Sequence, residues 1–186
     1  MFSKVGWEKQ QGESDNTSIL RGSLIRVQAE LGDQAIITEA RRRFAASLTD
    51  SSVLPGDLYS VVLGVVAANA SQADFEQIKA LAAKTSNSTE KRRLLGALAS
   101  VKDEKLARLA LELLLSDLTP KQLAPGLLNR VAFEHTGLAY QFYVQHQAEF
   151  DARLDPLRRN GFDASLLGSA RDKKTATLLK QKKEGQ

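Results

Sequence analysis

The sequence predicts an all-α protein, built as a right-handed α-solenoid of antiparallel HEAT-like helix pairs. Three observations lead to this prediction. Apolar residues recur at helical spacing along almost the whole chain of 186 residues, and no run alternates for long with the period of a half-buried strand. Residues that cap helices, such as Asp33 and Ser71, precede several of these segments. The first members of successive pairs start roughly 30 to 40 residues apart, which is the repeat length of two-helix solenoids.

The first half of the chain contains a series of predicted helices. An apolar stripe on the first helix ends at Gly32, in the place of a C-cap glycine, and Asp33 caps the second helix. Pro55 breaks the chain before a valine-rich segment, whose length and position between helices favour a buried helix over a strand. Ser71 and Asp74 have the spacing of a capping box at the start of the next helix. The residues of the first stripe are Ile19, Leu20, Leu24, Val27 and Leu31.

Helical signals continue through the second half. Asn87 and Glu90 repeat the capping-box spacing. Thr119 forms a predicted cap with Pro120 at the first helical position. Pro125 lies inside the same helical pattern, so it should kink that helix or delay its start.

The chain divides into three predicted segments. Residues 1–16 are a lead-in that can be flexible, and residues 17–170 form the HEAT-like helical repeat domain. Residues 171–186 form a basic C-terminal helix with a frayed tail. Most of the net charge of +4 lies in that tail, where it indicates either a solvated helix or a patch for nucleic acid or an anionic membrane. The tail lacks the aromatic residues that would stack on bases.

Composition excludes several classes of site. The sequence has no cysteine, which excludes a disulfide scaffold, a thiol nucleophile and zinc sites built on sulfur. No stretch has the roughly 18 apolar residues of a membrane span, and residues 1–10 lack the apolar core of a signal peptide. We therefore expect a soluble protein in the cytoplasm.

Candidate catalytic and metal-binding residues are few, because only two histidines are present, His135 and His146. His135 stands at a predicted helix end, where an imidazole is favoured by the helix dipole without any catalytic role. His146 and Glu149 share a helix face at i, i+3, but a zinc site needs a third ligand. No H-E-x-x-H, G-x-S-x-G, P-loop or G-x-G-x-x-G motif occurs in the sequence. We therefore expect no catalytic residue, metal ligand or cofactor in this chain.

Two basic clusters are the candidate binding residues. The first consists of Arg41, Arg42 and Arg43 after Glu39, and the second of Lys91, Arg92 and Arg93 after Glu90. Each lies on a helix whose opposite face is apolar, so each can be a solvated surface with i, i+4 ion pairs. In a curved solenoid the same residues can instead line a concave groove, where guanidinium groups would bind the carboxylates of a peptide.

The order of several motifs resembles the C-terminal helical domain of the zinc aminopeptidases, a family that includes aminopeptidase N, puromycin-sensitive aminopeptidase and the endoplasmic-reticulum aminopeptidases. The similarity spans almost the whole chain, although Tyr59 stands where relatives often have arginine. The motifs that carry it are Gly6-Trp7, Ser18-Ile19-Leu20-Arg21, Leu31-Gly32-Asp33, Glu39-Ala40-Arg41-Arg42-Arg43-Phe44, Pro55-Gly56-Asp57-Leu58, Glu90-Lys91-Arg92-Arg93-Leu94-Leu95-Gly96-Ala97-Leu98-Ala99, Val101-Lys102-Asp103, Val131-Ala132-Phe133 and Gly137-Leu138-Ala139-Tyr140-Gln141-Phe142.

The resemblance implies part of an enzyme without its catalytic machinery. In that family the zinc ligands and the G-x-M-E-N motif lie in an upstream catalytic domain, and this sequence has neither. The resembled domain is a bowl of helices that closes over the active site, limits substrate length and contacts the distal end of the peptide. By position, Arg93 and the turn with Ser100 and Lys102 are the candidate residues facing that chamber.

The first predicted helix has more apolar residues than one face can bury. Compared with the resembled domain, the chain begins partway along it, so this helix would lack a neighbour. We therefore expect the chain to self-associate through its N-terminal helices or to dock on a catalytic partner. Two alternatives to a substrate-gating domain stay open: a stand-alone helical-repeat scaffold that binds a protein or peptide, and a basic module that binds nucleic acid.

Overall fold

The computed structural model describes residues 2–54 and 56–152, and these residues contain helices and no strand. This confirms the all-α prediction. Two short 3₁₀ turns, Ser51–Val53 and Lys121–Leu123, precede the helices that start at Gly56 and Ala124. Residues 147–152 are also helical, up to the last described residue. The helices are α1 (Phe2–Val5), α2 (Asp15–Glu30), α3 (Gln34–Ser47), α4 (Gly56–Ala68), α5 (Gln72–Lys84), α6 (Ser88–Leu98), α7 (Glu104–Leu115), α8 (Ala124–Glu134) and α9 (Thr136–Gln145).

Side-chain caps begin several helices where the sequence predicts them. Asp33 accepts two backbone hydrogen bonds from the first turn of α3. Ser71 and Asp74 form the complete capping box at α5. Asn87 caps α6 by accepting two backbone hydrogen bonds. The carboxylate of Glu90 binds other side chains instead of completing a second box, so this part of the prediction is wrong.

The valine-rich segment is helix α4, as its length indicates. Pro125 occupies the first turn of α8 and delays the start of that helix until after the 3₁₀ turn. The predicted cap at Thr119 is wrong. The Thr119 side chain is buried and its hydroxyl has no hydrogen-bond partner in the described part of the chain, because Pro120 starts a 3₁₀ turn and not the α-helix.

The contacts between elements divide the chain into two compact units, Met1–Ala110 and Leu111–Gln186, with the boundary inside α7. In the first unit, α2 packs on α3 and α4, α3 on α4, α4 on α6, and α5 on α6. The helices α2, α4 and α6, which are the first members of the predicted pairs, therefore contact one another in succession. The core side chains of this unit include Ile25, Phe44, Val62, Phe75, Ile78 and Leu94, all at most 2% exposed.

Helix α2 packs closely on α4. Gly22 makes this close approach possible, since a Cβ added there would lie 3.1 Å from Cγ2 of Val61. The predicted apolar stripe of α2 occurs on the other side of the helix, where most of its side chains are exposed. The buried residues of α2 are Arg21, Gly22, Ile25 and Ala29.

In the second unit, α8 packs on α9. The rings of Phe142 and Tyr143 both lie edge-on to the buried ring of Phe150, with centroids 6.2 and 6.1 Å away. The right-handed solenoid and the segment boundaries at 16, 17 and 170 stay predictions. The basic segment 171–186 lies outside the described residues.

Candidate functional site

The three arginines of α3 reach different partners, because successive side chains on a helix are about 100° apart. Arg41 extends to the start of α5, where its Nε lies 3.3 Å from Oδ2 of Asp74 and its Nη2 donates to the backbone carbonyl of Asn69. Arg42 stays on its own helix and donates two hydrogen bonds of 2.7 Å to the carboxylate of Glu39. Both guanidinium groups are therefore engaged by the chain itself.

Arg43 is buried and joins α3 to the segment before α2. Its Nε donates to Glu39 over 2.8 Å, and its Nη2 donates to Glu8 over 2.6 Å. The guanidinium carbon also lies 4.9 Å from the centre of the Trp7 ring, within the range of a cation–π contact. Its charge and its donors serve the fold, so Arg43 offers no free guanidinium to a ligand.

Glu39 is the acceptor that Arg42 and Arg43 share. Hydrogen bonds from Arg42 first, and then from Arg43, lower the pKa of Glu39 to about 2, against the opposing effect of burial. The carboxylate therefore stays ionised throughout the physiological range and neutralises part of the arginine charge.

The second cluster is built around Glu90 on α6. Its carboxylate accepts one hydrogen bond of 2.7 Å from the Tyr59 hydroxyl on α4 and one of 2.8 Å from Nη1 of Arg93. The Arg93 guanidinium lies 5.4 Å from the centre of the Tyr59 ring, which in turn lies 6.5 Å from the ring of Phe44. Burial, followed by the hydrogen bond to Glu90, raises the pKa of Tyr59 above its ordinary value. Tyr59 therefore contacts both members of the ion pair, Glu90 through its hydroxyl and Arg93 through its ring.

The remaining predicted site residues are less constrained. Arg92 and Lys102 are exposed and Lys91 is half-buried, and none of the three forms an ion pair within residues 2–54 and 56–152. Ser100 follows the end of α6, and its hydroxyl donates to the carbonyl of Gly96 over 2.9 Å. The free cations of this region are therefore in the first half of α6 and in the turn that follows it.

The predicted peptide-facing residues lie on and just after α6. Arg93 is on the helix itself, and Ser100 follows its C-cap residue Ala99. Lys102 lies in the turn between α6 and α7. In the part of the chain that is described, no hydrogen bond or ion pair connects the arginines of α3 with those of α6.

A buried ion pair that the sequence did not reveal lies between Arg21 and Glu13. The Arg21 side chain is 1% exposed and donates to both carboxylate oxygens of Glu13. It also donates to the backbone carbonyls of Val5, Gly6 and Glu8. The hydrogen bond from Arg21 is the largest cause that lowers the pKa of Glu13 to about 2. The only sequence signal is a cation directly after Leu20, inside an apolar run.

The histidines lie in the second unit. His135 ends α8 and precedes α9. His146 Nδ1 lies 3.2 Å from Oε2 of Glu149, and its ring lies against that of Phe142, tilted by 36° with centroids 4.5 Å apart. Zinc sites in enzymes use three protein ligands, and no group of three His, Asp or Glu side chains among the described residues is close enough to hold a metal ion. His146 and Glu149 alone therefore do not fit a zinc ion.

Within the described ranges, none of the helices has both the length and the apolar character that a membrane crossing requires.

The profile of the family described as ERAP1-like C-terminal domain matches residues 1–183. Aminopeptidase M1 of Arabidopsis thaliana is 33% identical over 152 residues, which are 79% of this chain and 17% of that protein. Aminopeptidase M1-A of Oryza sativa subsp. japonica is 36% identical over 118 residues, or 61% of this chain and 13% of that protein. Aminopeptidase N of Lactococcus lactis subsp. cremoris (strain MG1363) is 30% identical over 112 residues, or 60% of this chain and 13% of that protein.

The chain thus spans less than a fifth of the length of these relatives. The resemblance that the motifs indicate is confirmed by a match over nearly the whole sequence, and the chain belongs to the ERAP1-like C-terminal domain family.

Proposed function

We propose that this chain acts as the non-catalytic C-terminal domain of a zinc aminopeptidase, which covers the active-site chamber and contacts or gates the peptide substrate. The observation that carries the proposal is the family match over residues 1–183, together with relatives that are named aminopeptidases. In this proposal the zinc ion and its ligands belong to a separate catalytic domain. A HEAT-like repeat organisation and a cytoplasmic location are part of the same proposal.

The charges of the described residues favour α6 and its following turn as the peptide-contacting part. A peptide presents a carboxylate at its C-terminal end, and cations without an internal partner are best suited to bind it. Arg92 and Lys102 meet this requirement, with Lys91 beside them. The arginines of α3 do not, because Glu39, Glu8 and Asp74 already neutralise them.

The same charge distribution weighs against nucleic acid as the partner. Binding to a phosphate backbone depends on many free cations that release counterions. Four of the six clustered basic residues are instead paired with carboxylates of this chain: Arg41, Arg42, Arg43 and Arg93. A stand-alone scaffold without an aminopeptidase partner is the alternative that the experiment below separates from the proposal.

The test combines the purified chain with the portion of Aminopeptidase M1 that lies outside the matched region. Hydrolysis of aminoacyl substrates and of a peptide series of increasing length is measured for each component and for the mixture, with a chelator control. We expect the chain alone to be inactive and the mixture to show a changed dependence of rate on peptide length. Zinc-dependent turnover by the chain alone, or a mixture identical to the catalytic portion, would refute the proposal.

The peptide contact is tested with Lys102→Ala and Arg92→Ala, and with Arg108→Ala as the matched control. Arg108 is also an exposed arginine, and it pairs with Glu104 on its own helix. We expect either test substitution to raise KM about threefold for peptides with a free C-terminal carboxylate, the size of one exposed charge contact. C-terminally amidated peptides should lose this difference. Equal effects on free and amidated peptides would exclude carboxylate recognition at these residues.

A further inference from the structure

The guanidinium group of Arg93 has an open edge, although its charge is paired. Its Nη1 donates to Glu90 over 2.8 Å, and one face of the group lies over the Tyr59 ring. Among the residues that the structure describes, neither Nε nor Nη2 of Arg93 has a hydrogen-bond acceptor, and the side chain is 39% exposed. The arginines of α3 differ, because each of them uses both of these atoms on other groups of the chain.

The chemistry of this edge favours an uncharged acceptor. Nε and Nη2 carry two parallel N–H groups, the fork with which arginine binds oxygen. Glu90 accepts a hydrogen bond from the same guanidinium, so its negative charge opposes the attraction of a second carboxylate to Arg93. A main-chain carbonyl oxygen has no net charge, so Glu90 repels it much less. The fork is therefore better suited to the main chain of a peptide than to a carboxylate.

Two contacts fix the direction of this fork. The Tyr59 hydroxyl donates to Oε1 of Glu90 over 2.7 Å, and Oε2 of the same carboxylate accepts from Arg93. The Tyr59 ring lies 5.4 Å from the guanidinium carbon, and 6.5 Å from the buried ring of Phe44. A long side chain that is ordered before its ligand arrives loses less conformational entropy on binding. Tyr59 and Glu90 can therefore act on a ligand through Arg93.

We propose that Arg93 donates to main-chain carbonyl oxygens of the peptide substrate, with Tyr59 and Glu90 as its positioning residues. This inference rests on the proposed function. It gives this region two different contacts, since Arg92 and Lys102 bind the C-terminal carboxylate and Arg93 binds the main chain whatever the charge of that end. Peptides whose C-terminal carboxylate is blocked should therefore still be bound through Arg93.

The contact itself is tested in the mixture of the full chain with the portion of Aminopeptidase M1 outside the matched region. KM and kcat are measured for one long peptide as free acid and as C-terminal amide. We expect Arg93→Ala to raise KM about threefold for both forms and to leave kcat unchanged, as for a contact that is equally strong in the ground state and the transition state. Arg93→Lys should not restore KM, because an ammonium group lacks the planar fork. The control is Arg108→Ala, at a 56% exposed arginine paired with a glutamate of its own helix.

The positioning roles need variants that a merely structural role would not explain. Glu90→Gln keeps the shape of the side chain and removes its charge, so KM for the free acid should fall about threefold relative to the amide. Glu104→Gln, beside Arg108 on α7, should leave that ratio unchanged. Tyr59→Leu should raise KM as much as Arg93→Ala, with no further increase in the double variant. Tyr59→Phe keeps the ring and should have less than half of that effect. Urea midpoints show that each variant is folded.

The outcomes separate the inference from the proposed function. If the mixture changes the dependence of rate on peptide length but Arg93→Ala has the KM of wild type, only the inference fails. It also fails alone if the loss occurs only with the free acid or if Arg93→Lys restores KM, since Arg93 would then recognise charge. An unchanged KM ratio in Glu90→Gln would refute the role of Glu90. If the mixture behaves as the catalytic portion alone, the proposed function fails and the inference fails with it.

Discussion

Helices α3 and α6 carry similar basic runs, Glu39 to Arg43 and Glu90 to Arg93, in different surroundings. The α3 run meets carboxylates from its own helix, from the start of α5 and from the segment before α2. Among the residues that the structure describes, the α6 run meets its own glutamate and the Tyr59 ring. The difference teaches that a basic run becomes structural when the fold brings several carboxylates to it, and stays available when it does not.

The comparison predicts the largest loss of stability for substitution of Arg21, which is only 1% exposed. In the Arg21→Met variant, the carboxylate of Glu13 would remain in a nearly buried place without its partner. Three backbone carbonyls would lose their donor as well. We expect the free energy of unfolding to fall by about 3 kcal/mol or more, as for other broken buried pairs. Urea denaturation measures the change.

The control for this variant is Arg26→Met, at an exposed position on the same helix. It should change the free energy of unfolding by less than about 0.5 kcal/mol. Similar urea midpoints for the two variants would mean that the buried pair does not hold the N-terminal segment against α2.

A direct comparison of the two clusters uses Arg43→Ala and Arg92→Ala. Arg43→Ala removes a buried guanidinium with two charged acceptors and an aromatic contact, and should cost about 2 kcal/mol. Arg92→Ala, at an exposed position, should change stability by less than about 0.5 kcal/mol. Thermal and urea denaturation of both variants measure these losses of stability. Equal losses would contradict the comparison.

The acid sensitivity of the α3 cluster gives a third, smaller effect. The folded pKa of Glu39 is about 2 and its ordinary value is 4.5, so its contribution to stability is complete above pH 4.5 and is lost as the pH falls toward 2. Glu39→Gln should therefore cost about 1 kcal/mol at pH 7. The difference from wild type should shrink between pH 4.5 and pH 2.

Urea midpoints across that range measure the effect, with the exposed Glu30→Gln as the control on α2. A difference between Glu39→Gln and wild type that stayed constant down to pH 2 would show that the ionised carboxylate is not what stabilises the cluster.

Local features of this fold could be predicted from the sequence because their causes are local. The caps at Asp33, Ser71 and Asn87 act within one helical turn, and the helical spacing of apolar residues predicts the helices themselves. Thr119 and Pro120 show the limit of this reasoning, since a proline can start a 3₁₀ turn as well as an α-helix.

The candidate site was less predictable, because its properties depend on distant partners. The sequence identifies Arg43 and Arg92 as members of similar runs, but only the fold brings Glu8 to one of them, across 35 residues. The pair of Arg21 with Glu13 depends likewise on how the chain turns before α2. Charge patterns therefore indicate which residues could bind a ligand, and tertiary contacts decide which of them remain free to do so.

The smallest predicted effect tests whether α6 is as weakly constrained as the comparison holds. Tyr59→Phe keeps the aromatic ring in contact with Arg93 and Phe44, and removes only the hydroxyl that donates to Glu90. We expect a loss of about 0.5 kcal/mol, at the low end for a hydrogen bond that solvent can partly replace. A double-mutant cycle with Glu90→Gln isolates that contact. If Tyr59→Phe cost as much as Arg43→Ala, Glu90 would be the centre of a network as structural as that of Glu39. The availability of Arg92 would then follow from its own exposed position on α6 and not from weaker contacts within the cluster.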